Sequence, residues 1–405
     1  MIRTRANRAF AGYLAAWTSS ALGDGLRATA LPLLAASLAA GPRGVAVVAA
    51  AGGLPWLVFG LVAGVLLDRW PRLAAMVATQ LTRAVTLGAL AVLVALDLVG
   101  IPVLVVVAFV LGTCEVVFDI AAHSALPSIV PREQLQRANS RLLFGEISMA
   151  ELAGPLIGGV LFAVAAVLVT AVTAAAFLLA FGLLGLTVRA PSARPGTASE
   201  RASIRLDLLA GGRWFFRAPT VRAISLLSVA LNLAGGGFLA VLVVLAKERL
   251  GAGAIGYGVL VAVGSVGGLV ASAVADRLSG AGQRRAICLL AGPVIAVAFA
   301  AVGAFPNWPV TAAGLTIWGA AATLLNIVAL SYRQAAVPDE MLGRVTAVHR
   351  FLVWGALPLG ALGAGFLAEY AGVTAVAPAA AGVVAIGVLA VWRTLSRAPR
   401  EQFAL

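Results

Sequence analysis

The sequence predicts an all-α integral membrane protein with twelve transmembrane helices, arranged as two pseudo-symmetric six-helix bundles. Of its 405 residues, 61% are hydrophobic and 11% are charged, and the mean hydropathy is +1.02. Soluble domains are about half apolar and about a quarter charged. The stretches 152–188 and 286–332 contain no charged residue. Each is long enough for two helices of roughly 20 residues, the length that crosses a bilayer.

Each apolar stretch is predicted to be a helix, because backbone groups inside a bilayer must be hydrogen-bonded within their own segment. The first stretch is longer than the apolar part of a signal peptide and contains Asp24 and Arg27, so we expect an uncleaved first span. The predicted spans are 10–38, 45–67, 74–96, 101–121, 141–163, 167–188, 220–245, 254–275, 286–304, 309–331, 346–368 and 373–393.

Basic residues are distributed unequally between the loops on the two sides of the predicted membrane. One side holds 24 of them, whereas the other holds 3, namely Arg43, Lys247 and Arg249. Because loops rich in Lys and Arg stay in the cytoplasm, both termini are expected on the cytoplasmic face of the cell inner membrane. The net charge of +13 comes from these short loops, and we therefore expect no nucleic-acid partner.

One long polar segment divides the chain into three predicted regions. Residues 1–188 form an N-terminal six-helix bundle, and residues 220–405 form a C-terminal six-helix bundle with a short cytoplasmic tail. Residues 189–219 form a central cytoplasmic linker between them. Within this linker, 204–216 is predicted to be an amphipathic helix that lies on anionic headgroups.

Enzymatic and ATP-driven activities are not indicated by the sequence motifs. The cysteines, Cys114 and Cys288, and the histidines, His123 and His349, have no companions at ligand spacing. No metal, cofactor or disulfide framework is therefore expected. The sequence lacks the G-x-x-x-x-G-K-[ST] loop that binds ATP phosphates. Energy for transport would then come from an ion gradient, a substrate gradient or a partner.

Three pairs of similar segments indicate that the two bundles are internal repeats. Each pair occupies equivalent places in the two bundles, at offsets of 206 to 208 residues. The pairs are Asp68-Arg69 with Asp276-Arg277, 130–137 with 337–344, and 159–161 with 365–367. Parallel six-helix repeats with a site between them near the bilayer midplane are a transporter architecture.

The segment after the second span resembles motif A of the major facilitator superfamily of transporters. It contains Gly64, Asp68, Arg69 and Arg72, whereas Pro71 stands where that motif usually has a glycine. A further basic residue of the motif is replaced by leucine. The resemblance implies a cytoplasmic latch that holds the bundles together when the outer side is open, and a solvated turn is the alternative. The expected latch residues are Gly64, Asp68, Arg69, Arg72, Asp119, Asp276 and Arg277.

The fifth span contains Gly154-Pro155-Leu-Ile-Gly158-Gly159, which resembles motif C, a sequence that the superfamily associates with export by antiport. The strings 125–139 and Ser20-Ala-Leu-Gly23-Asp24 are similar to the branch that contains macrolide-efflux proteins and enterobactin exporters. Together these resemblances cover the whole chain. The residues Gly154, Pro155, Gly158 and Gly159 also allow close helix contact and a kink, so packing alone is the alternative.

Ionisable side chains within the spans are candidates for proton coupling, because a charge in the bilayer centre costs about 2.5–3.5 kcal/mol on insertion scales. Asp24 and Arg27 are three residues apart and therefore share a helix face, where they can pair. Removal from water favours a protonated carboxyl group, whereas a neighbouring cation favours a charged one. A proton carrier and an ion pair that only fixes the first span both remain open.

Two further acidic positions are coupling candidates. Glu115 lies four residues before Asp119 on one face of the fourth span, where the arginine-and-glycine motif of many drug antiporters is absent. Glu115 is the deeper residue and the candidate, whereas Asp119 is expected to pair with loop arginines. Glu151 in the fifth span is the other candidate. Arg83 in the third span is expected to be a structural partner.

The second bundle offers neutral polar and aromatic residues rather than intramembrane charges. The candidates for substrate contact are Asn232, Asn326, Trp318 and Trp354, in spans that line the central cavity in the superfamily. Such a surface suits a bulky amphipathic compound, and tryptophan at a membrane interface is the alternative.

The sequence thus predicts a proton-coupled exporter of a small amphipathic compound, such as a drug, a secondary metabolite or a siderophore. The partners expected are that compound, protons as the coupling ion and the lipid bilayer, and the protein is expected to be a monomer. The alternatives are an uptake permease or a lysolipid flippase of the same fold. A non-transporting membrane sensor is disfavoured because the sequence contains no soluble sensory domain.

Overall fold

The structure is a computed structural model that describes residues 2–38, 41–60, 71–131, 134–187, 204–278 and 280–403. The described chain consists almost entirely of helices. In the N-terminal half the helices are α1 (Ile2–Ser37), α2 (Gly41–Phe59), α3 (Arg72–Ala95), α4 (Ile101–Ile129), α5 (Leu135–Glu146), α6 (Gly154–Val164) and α7 (Ala166–Thr187). A π-helical segment, Ile147–Ala153, joins α5 to α6.

The remaining helices follow the same pattern. They are α8 (Ile204–Arg217), α9 (Pro219–Glu248), α10 (Ala254–Val274), α11 (Ala281–Ala304), α12 (Trp308–Ala336), α13 (Asp339–Ala371) and α14 (Val376–Arg397). Short 3₁₀ turns occur at Ala275–Leu278, Val373–Ala375 and Arg400–Phe403.

Eleven membrane-spanning helices are found among the described residues by length and composition. One of them runs continuously from Leu135 to Val164 and includes α5, the π-helical segment and α6. α1 is also long enough to span a bilayer, but its polar and charged residues, among them Asp24 and Arg27, make it less apolar than the others. With α1 the count is twelve, which confirms the predicted fold class.

Local signals set the helix starts. α4, α9 and α12 each have a proline at the first or second position, where the missing N–H would have had no helical partner. The side chain of Asn307 accepts a hydrogen bond of 3.1 Å from the Val310 N–H and so caps α12. Gly372 ends α13 with a φ of +85°, a conformation that glycine adopts without steric cost.

The chain packs into two compact units. Unit 1 contains residues 1–38, 58–201 and 253–262, and unit 2 contains 39–57, 202–252 and 263–405. Relative to the predicted halves, unit 2 includes most of α2, and unit 1 includes the first part of α10. These two helices are the second spans of their respective repeats, so the exchange is symmetric. The predicted division of the chain into two six-helix repeats joined by the linker 189–219 stays a prediction.

The predicted amphipathic helix of the linker corresponds to α8, which begins at Ile204 and ends at Arg217. Phe215 is fully buried, whereas Phe216 is exposed. A Cβ on Gly211 would lie 2.8 Å from the Arg344 carbonyl oxygen, which shows that α8 packs closely on the start of α13. The helix is therefore confirmed, and its position on anionic headgroups stays a prediction.

Candidate functional site

Unit 1 contains a cluster of four charged side chains, which we call the charge cluster: Asp24 and Arg27 of α1, Arg83 of α3 and Glu115 of α4. Arg27 Nη2 lies 2.6 Å from Glu115 Oε2 and 3.4 Å from Asp24 Oδ1. Arg83 Nη1 lies 3.2 Å from Asp24 Oδ2. Asp24 therefore lies between two guanidinium groups, whereas Glu115 contacts one. The pairing of Asp24 with Arg27 is the one that their spacing predicts.

Arg83 is the innermost member of the charge cluster, with 1% of its side chain exposed. Its guanidinium carbon lies 5.3 Å from the ring centre of Phe118 and 5.1 Å from that of Phe177, within the range of cation–π attraction. Its Nη1 also donates to Ser20 Oγ at 3.3 Å. Arg83 thus pairs with Asp24, and its structural role stays a prediction.

Exposure decreases from Glu115 to Arg83 across the charge cluster. The exposed fraction of the side chain is 35% for Glu115, 25% for Asp24 and 15% for Arg27. Two arginines and two carboxylates make the cluster formally neutral, which lowers the cost of placing four charges in a membrane-spanning unit. Glu115 is thus the most exposed member of the charge cluster, and it contacts one arginine rather than two.

We expect Arg83→Ala to destabilise the protein by about 3 kcal/mol, because it removes the most buried ion pair and leaves the charge cluster with a net charge of −1. Thermal unfolding in detergent, followed by tryptophan fluorescence, measures the effect. Arg141→Ala on the exposed face of α5 is the matched control, for which a change within about 0.5 kcal/mol is expected. Equal unfolding temperatures for the two variants would contradict the structural role of Arg83.

Two residues of the site were missed by sequence reasoning. Gln80 Nε2 donates to Ser20 Oγ at 2.7 Å, and both residues are buried. Ser20 precedes Asp24 by four residues, and Gln80 precedes Arg83 by three. Each therefore lies on the same helix face as a charged residue, and this spacing was the signal that could have identified them.

The motif Gly154-Pro155 coincides with a change of helix type. Pro155 has no N–H to donate to the Glu151 carbonyl, which would be its α-helical partner. The Gly154 N–H instead donates to the carbonyl of Met149, five residues earlier, as in a π-helix. Glu151 lies in this π-helical segment and its side chain is exposed. The structure does not bring Glu151 into the charge cluster.

The glycines around Pro155 permit backbone contact with two other helices. A Cβ on Gly154 would lie 2.6 Å from the Cα of Gly25 in α1, and a Cβ on Gly159 would lie 2.6 Å from the Ala254 carbonyl oxygen in α10. A Cβ on Gly258 of α10 would overlap the Pro155 carbonyl oxygen. α6 therefore packs between α1 and α10 within unit 1, and no side chain larger than hydrogen fits at these contacts.

The expected latch residues are described only in part. Gly64, Asp68 and Arg69 lie outside the described residues. Arg72 begins α3 and is exposed, and Asp119 lies half-buried on α4. The repeated pair, Asp276 and Arg277, is exposed in the 3₁₀ turn after α10. Neither of these two forms an ion pair with another described residue, and the latch stays a prediction.

Unit 2 contains a cavity of about 380 Å³ between α9, α12 and α13, which we call the unit 2 cavity. Its lining combines polar, cationic and apolar side chains. The lining residues are Ser228, Leu231, Asn232, Ala322, Thr323, Leu325, Asn326, Leu330, Arg333, His349, Arg350, Val353 and Trp354. Three of the four candidates for substrate contact, Asn232, Asn326 and Trp354, thus lie in one cavity.

Trp318 lies elsewhere on α12, outside that lining. Its ring centre is 6.2 Å from that of Phe299, and a Cβ on Gly235 would lie 2.5 Å from its Cζ2. Trp318 therefore packs between α9 and α11 within unit 2. Trp354, by contrast, lines the cavity and stacks on Trp56 of α2 with ring centres 5.1 Å apart.

No metal centre is formed by the described part of the chain, since no three of its His, Cys, Asp or Glu side chains are grouped to hold an ion. The charge cluster of unit 1 and the unit 2 cavity are two candidate sites, each described within its own unit. Both consist of side chains on membrane-spanning helices.

Comparison with known proteins agrees with this description. The fold is similar to that of a bacterial homologue of the iron transporter ferroportin in an inward-facing state. Its crystal structure matches with a TM-score of 0.72 at 16% identity, over 98% of this chain and 100% of that one. The chain belongs to the family described as transmembrane secretion effector, whose model matches residues 5–402.

Two relatives were found by sequence. The multidrug efflux pump Tap of Mycolicibacterium fortuitum is 28% identical over 379 residues, which are 89% of each protein. An uncharacterised MFS-type transporter, y4rN, of Sinorhizobium fredii is 27% identical over 330 residues, which are 77% of this chain and 76% of that protein. The family and the multi-pass membrane architecture predicted from the sequence are confirmed by these matches.

Proposed function

We propose that this protein exports a small amphipathic compound from the cytoplasm in exchange for protons, by alternating access. The family description and the efflux pump among its relatives support export. The charge cluster is the observation on which the proton coupling depends. A transporter that used only its substrate gradient would have no need for four ionisable groups in its membrane-spanning helices.

Glu115 is the proposed proton carrier. Its protonation removes the negative charge that faces Arg27 at 2.6 Å and leaves the charge cluster with a net charge of +1. Protonation of Asp24 would instead weaken contacts with two arginines, at 3.4 Å and 3.2 Å. Loss of the Glu115 charge weakens the attraction between α1 and α4. It can therefore favour one conformation of the transporter over the other.

Arg27 links the carrier to the rest of unit 1. When Glu115 is protonated, Arg27 retains Asp24 as its anionic partner, so the guanidinium group is not left without compensation. α1 can thus shift relative to α4 while α1 and α3 remain joined through Asp24 and Arg83. The proposed conformational change begins with this loosening of the contact between α1 and α4. Asp24 and Arg27 then act as positioning residues, and Glu151 is a second acidic candidate in the π-helical segment.

The unit 2 cavity is the proposed place of substrate contact. Asn232, Asn326 and Trp354 give it amide and aromatic surface, which suits a compound with both polar and apolar parts. We propose that the contact of α6 with α10 closes one end of the transport pathway. The latch residues would close the opposite end. The protein is proposed to act as a monomer in the cell inner membrane, with both termini in the cytoplasm.

The test is proton movement in inverted membrane vesicles that contain the protein. A pH-sensitive dye reports the proton gradient while drugs, macrolides or siderophores are added one at a time. We expect a transported compound to dissipate part of the gradient in these vesicles and to have no effect in vesicles without the protein. Compounds that accumulate in the vesicles without any proton movement would contradict antiport and favour uniport or lysolipid flipping.

A further inference from the structure

Arg333 of α12 is a cation in the unit 2 cavity without an anionic partner among the described residues. It lines the cavity and is 6% exposed. Its Nε is buried and has no hydrogen-bond partner, and it forms no ion pair with any described residue. The desolvation cost of this guanidinium group is thus not offset by an ion pair with a carboxylate of the described chain.

Two other basic side chains of α13 lie in the same lining. Arg350 is exposed, and His349 is 7% exposed and bonded through Nδ1 to Ser225 Oγ at 2.9 Å. None of the described residues that line the cavity is Asp or Glu. The cavity thus combines two arginines with neutral polar groups, in contrast to the balanced charge cluster of unit 1.

The arginines lie towards one end of the cavity, and the aromatic surface lies deeper. Arg333 is three residues from the end of α12, whereas Asn326 is ten residues from it, or about 15 Å along the helix axis. On α13, Arg350 lies nearer the start of the helix than Trp354. Arg333 and Asn326 are seven residues apart on α12, or about 10 Å along the helix axis. The lining therefore changes from cationic to amide and aromatic over about a third of a hydrocarbon core of roughly 30 Å.

From this arrangement we propose that the unit 2 cavity binds an amphipathic anion. A carboxylate or phosphate oxygen would bind Arg333 and Arg350, and an apolar or aromatic body would lie against Leu231, Val353 and Trp354. The planar guanidinium group of arginine matches the geometry of both oxyanions. The inference rests on the proposed export of a small amphipathic compound and specifies its charge. Two kinds of ligand could supply this oxyanion: a soluble amphipathic acid, or a lipid through its phosphate headgroup.

The test is equilibrium binding to the purified full-length protein in neutral detergent, measured by microscale thermophoresis. The probes are three compounds with the same aromatic body, 2-naphthoate, the neutral 2-naphthamide and the cationic 2-naphthylmethylammonium. We expect naphthoate to bind about tenfold or more tightly than naphthamide, because hydrogen bonds to charged groups are stronger than neutral ones. The cation is expected to bind most weakly. Equal affinities for the three probes would overturn the proposal.

Variants assign the selectivity to the arginines. Arg333→Gln is expected to remove the tenfold preference for naphthoate while leaving naphthamide binding unchanged, and Arg333→Lys is expected to retain most of it. Arg393→Gln, an exposed arginine of α14 outside the cavity, is the matched control. Should Arg333→Gln not fold, Arg350→Gln tests the same preference from an exposed position. If a folded Arg333→Gln variant lost affinity for naphthoate and naphthamide to the same extent, Arg333 would have a structural role only, and the proposal would be overturned.

A second comparison distinguishes the two sources of the anion. The protein is placed in nanodiscs of phosphatidylcholine alone or with phosphatidylglycerol, and naphthoate binding is measured again. An unchanged Kd supports a soluble acid, whereas a Kd raised severalfold by the anionic lipid supports a headgroup, and both outcomes support the oxyanion site. The binding experiment needs no proton gradient. A negative result in it can therefore be distinguished from a negative result in the vesicle assay of proton antiport.

Discussion

Glu115→Gln is expected to abolish proton movement driven by transported compounds. Glutamine retains the shape of the side chain and can accept a hydrogen bond from Arg27, but it cannot take up and release a proton. The contact at 2.6 Å involves a partly exposed side chain, so its loss should lower stability by about 1 kcal/mol or less. The variant is therefore expected to fold and to bind compounds while the dye signal falls to the background of empty vesicles.

Controls separate this effect from a general loss of function. Glu369→Gln changes an exposed acidic residue near the end of α13, and it is expected to leave compound-driven proton movement unchanged. Asp24→Asn is expected to lower both stability and proton movement, because Asp24 joins Arg27 and Arg83. Proton movement at the wild-type rate in Glu115→Gln would exclude Glu115 as the carrier, and the same assay of Glu151→Gln would then test the other acidic candidate.

The charge cluster shows which contacts local spacing can predict. Asp24 and Arg27 are three residues apart on one helix, and helical geometry alone makes them neighbours. The contact of Arg27 with Glu115 joins residues 88 positions apart, and that of Arg83 with Asp24 joins residues 59 positions apart. Such pairs depend on the rotation of each helix about its axis, which a uniformly apolar sequence leaves undetermined.

The unit 2 cavity illustrates the same limit. The resemblance to the superfamily predicted which helices line the cavity. Three of the four residues predicted to contact substrate are among its lining residues. Trp318 and Asn326 are eight residues apart on α12, which places them about 80° apart around the helix. That rotation directs Trp318 towards Phe299 rather than into the cavity. Arg333, which also lines the cavity, was predicted to lie in a cytoplasmic loop, because arginines near the ends of spans are typical of such loops.

The number of spans could be predicted from the apolar composition, and the internal repeat from recurring motifs. The sequence did not predict that most of α2 packs in unit 2 and that the start of α10 packs in unit 1. A repeat specifies which helices are equivalent, but close packing depends on glycines that meet across a contact. Gly159 and Gly258 are 99 residues apart, and neither has a pattern that indicates the other.

Gly258→Leu is expected to stop transport without unfolding the protein. A Cβ at this position would overlap the Pro155 carbonyl oxygen, and backbone atoms cannot move aside as a flexible side chain can. Overpacking of this kind costs about 1–3 kcal/mol. If the contact of α6 with α10 forms in one state of the transport cycle, that state is depopulated about 5- to 150-fold. Transport in vesicles should fall by a similar factor, whereas the unfolding temperature should change little.

The glycine contact between α1 and α6 should respond differently, and this contrast identifies the moving contact. Gly25→Leu would force apart two helices whose backbones meet at Gly154, and we expect a lower unfolding temperature together with lost transport. Gly182→Leu in α7, where a Cβ would meet no atom within 4 Å, is the control and should leave both quantities unchanged. Wild-type transport in Gly258→Leu would mean that α6 and α10 need not approach closely in any state. A large fall in its unfolding temperature would mean that their contact is permanent rather than part of the cycle.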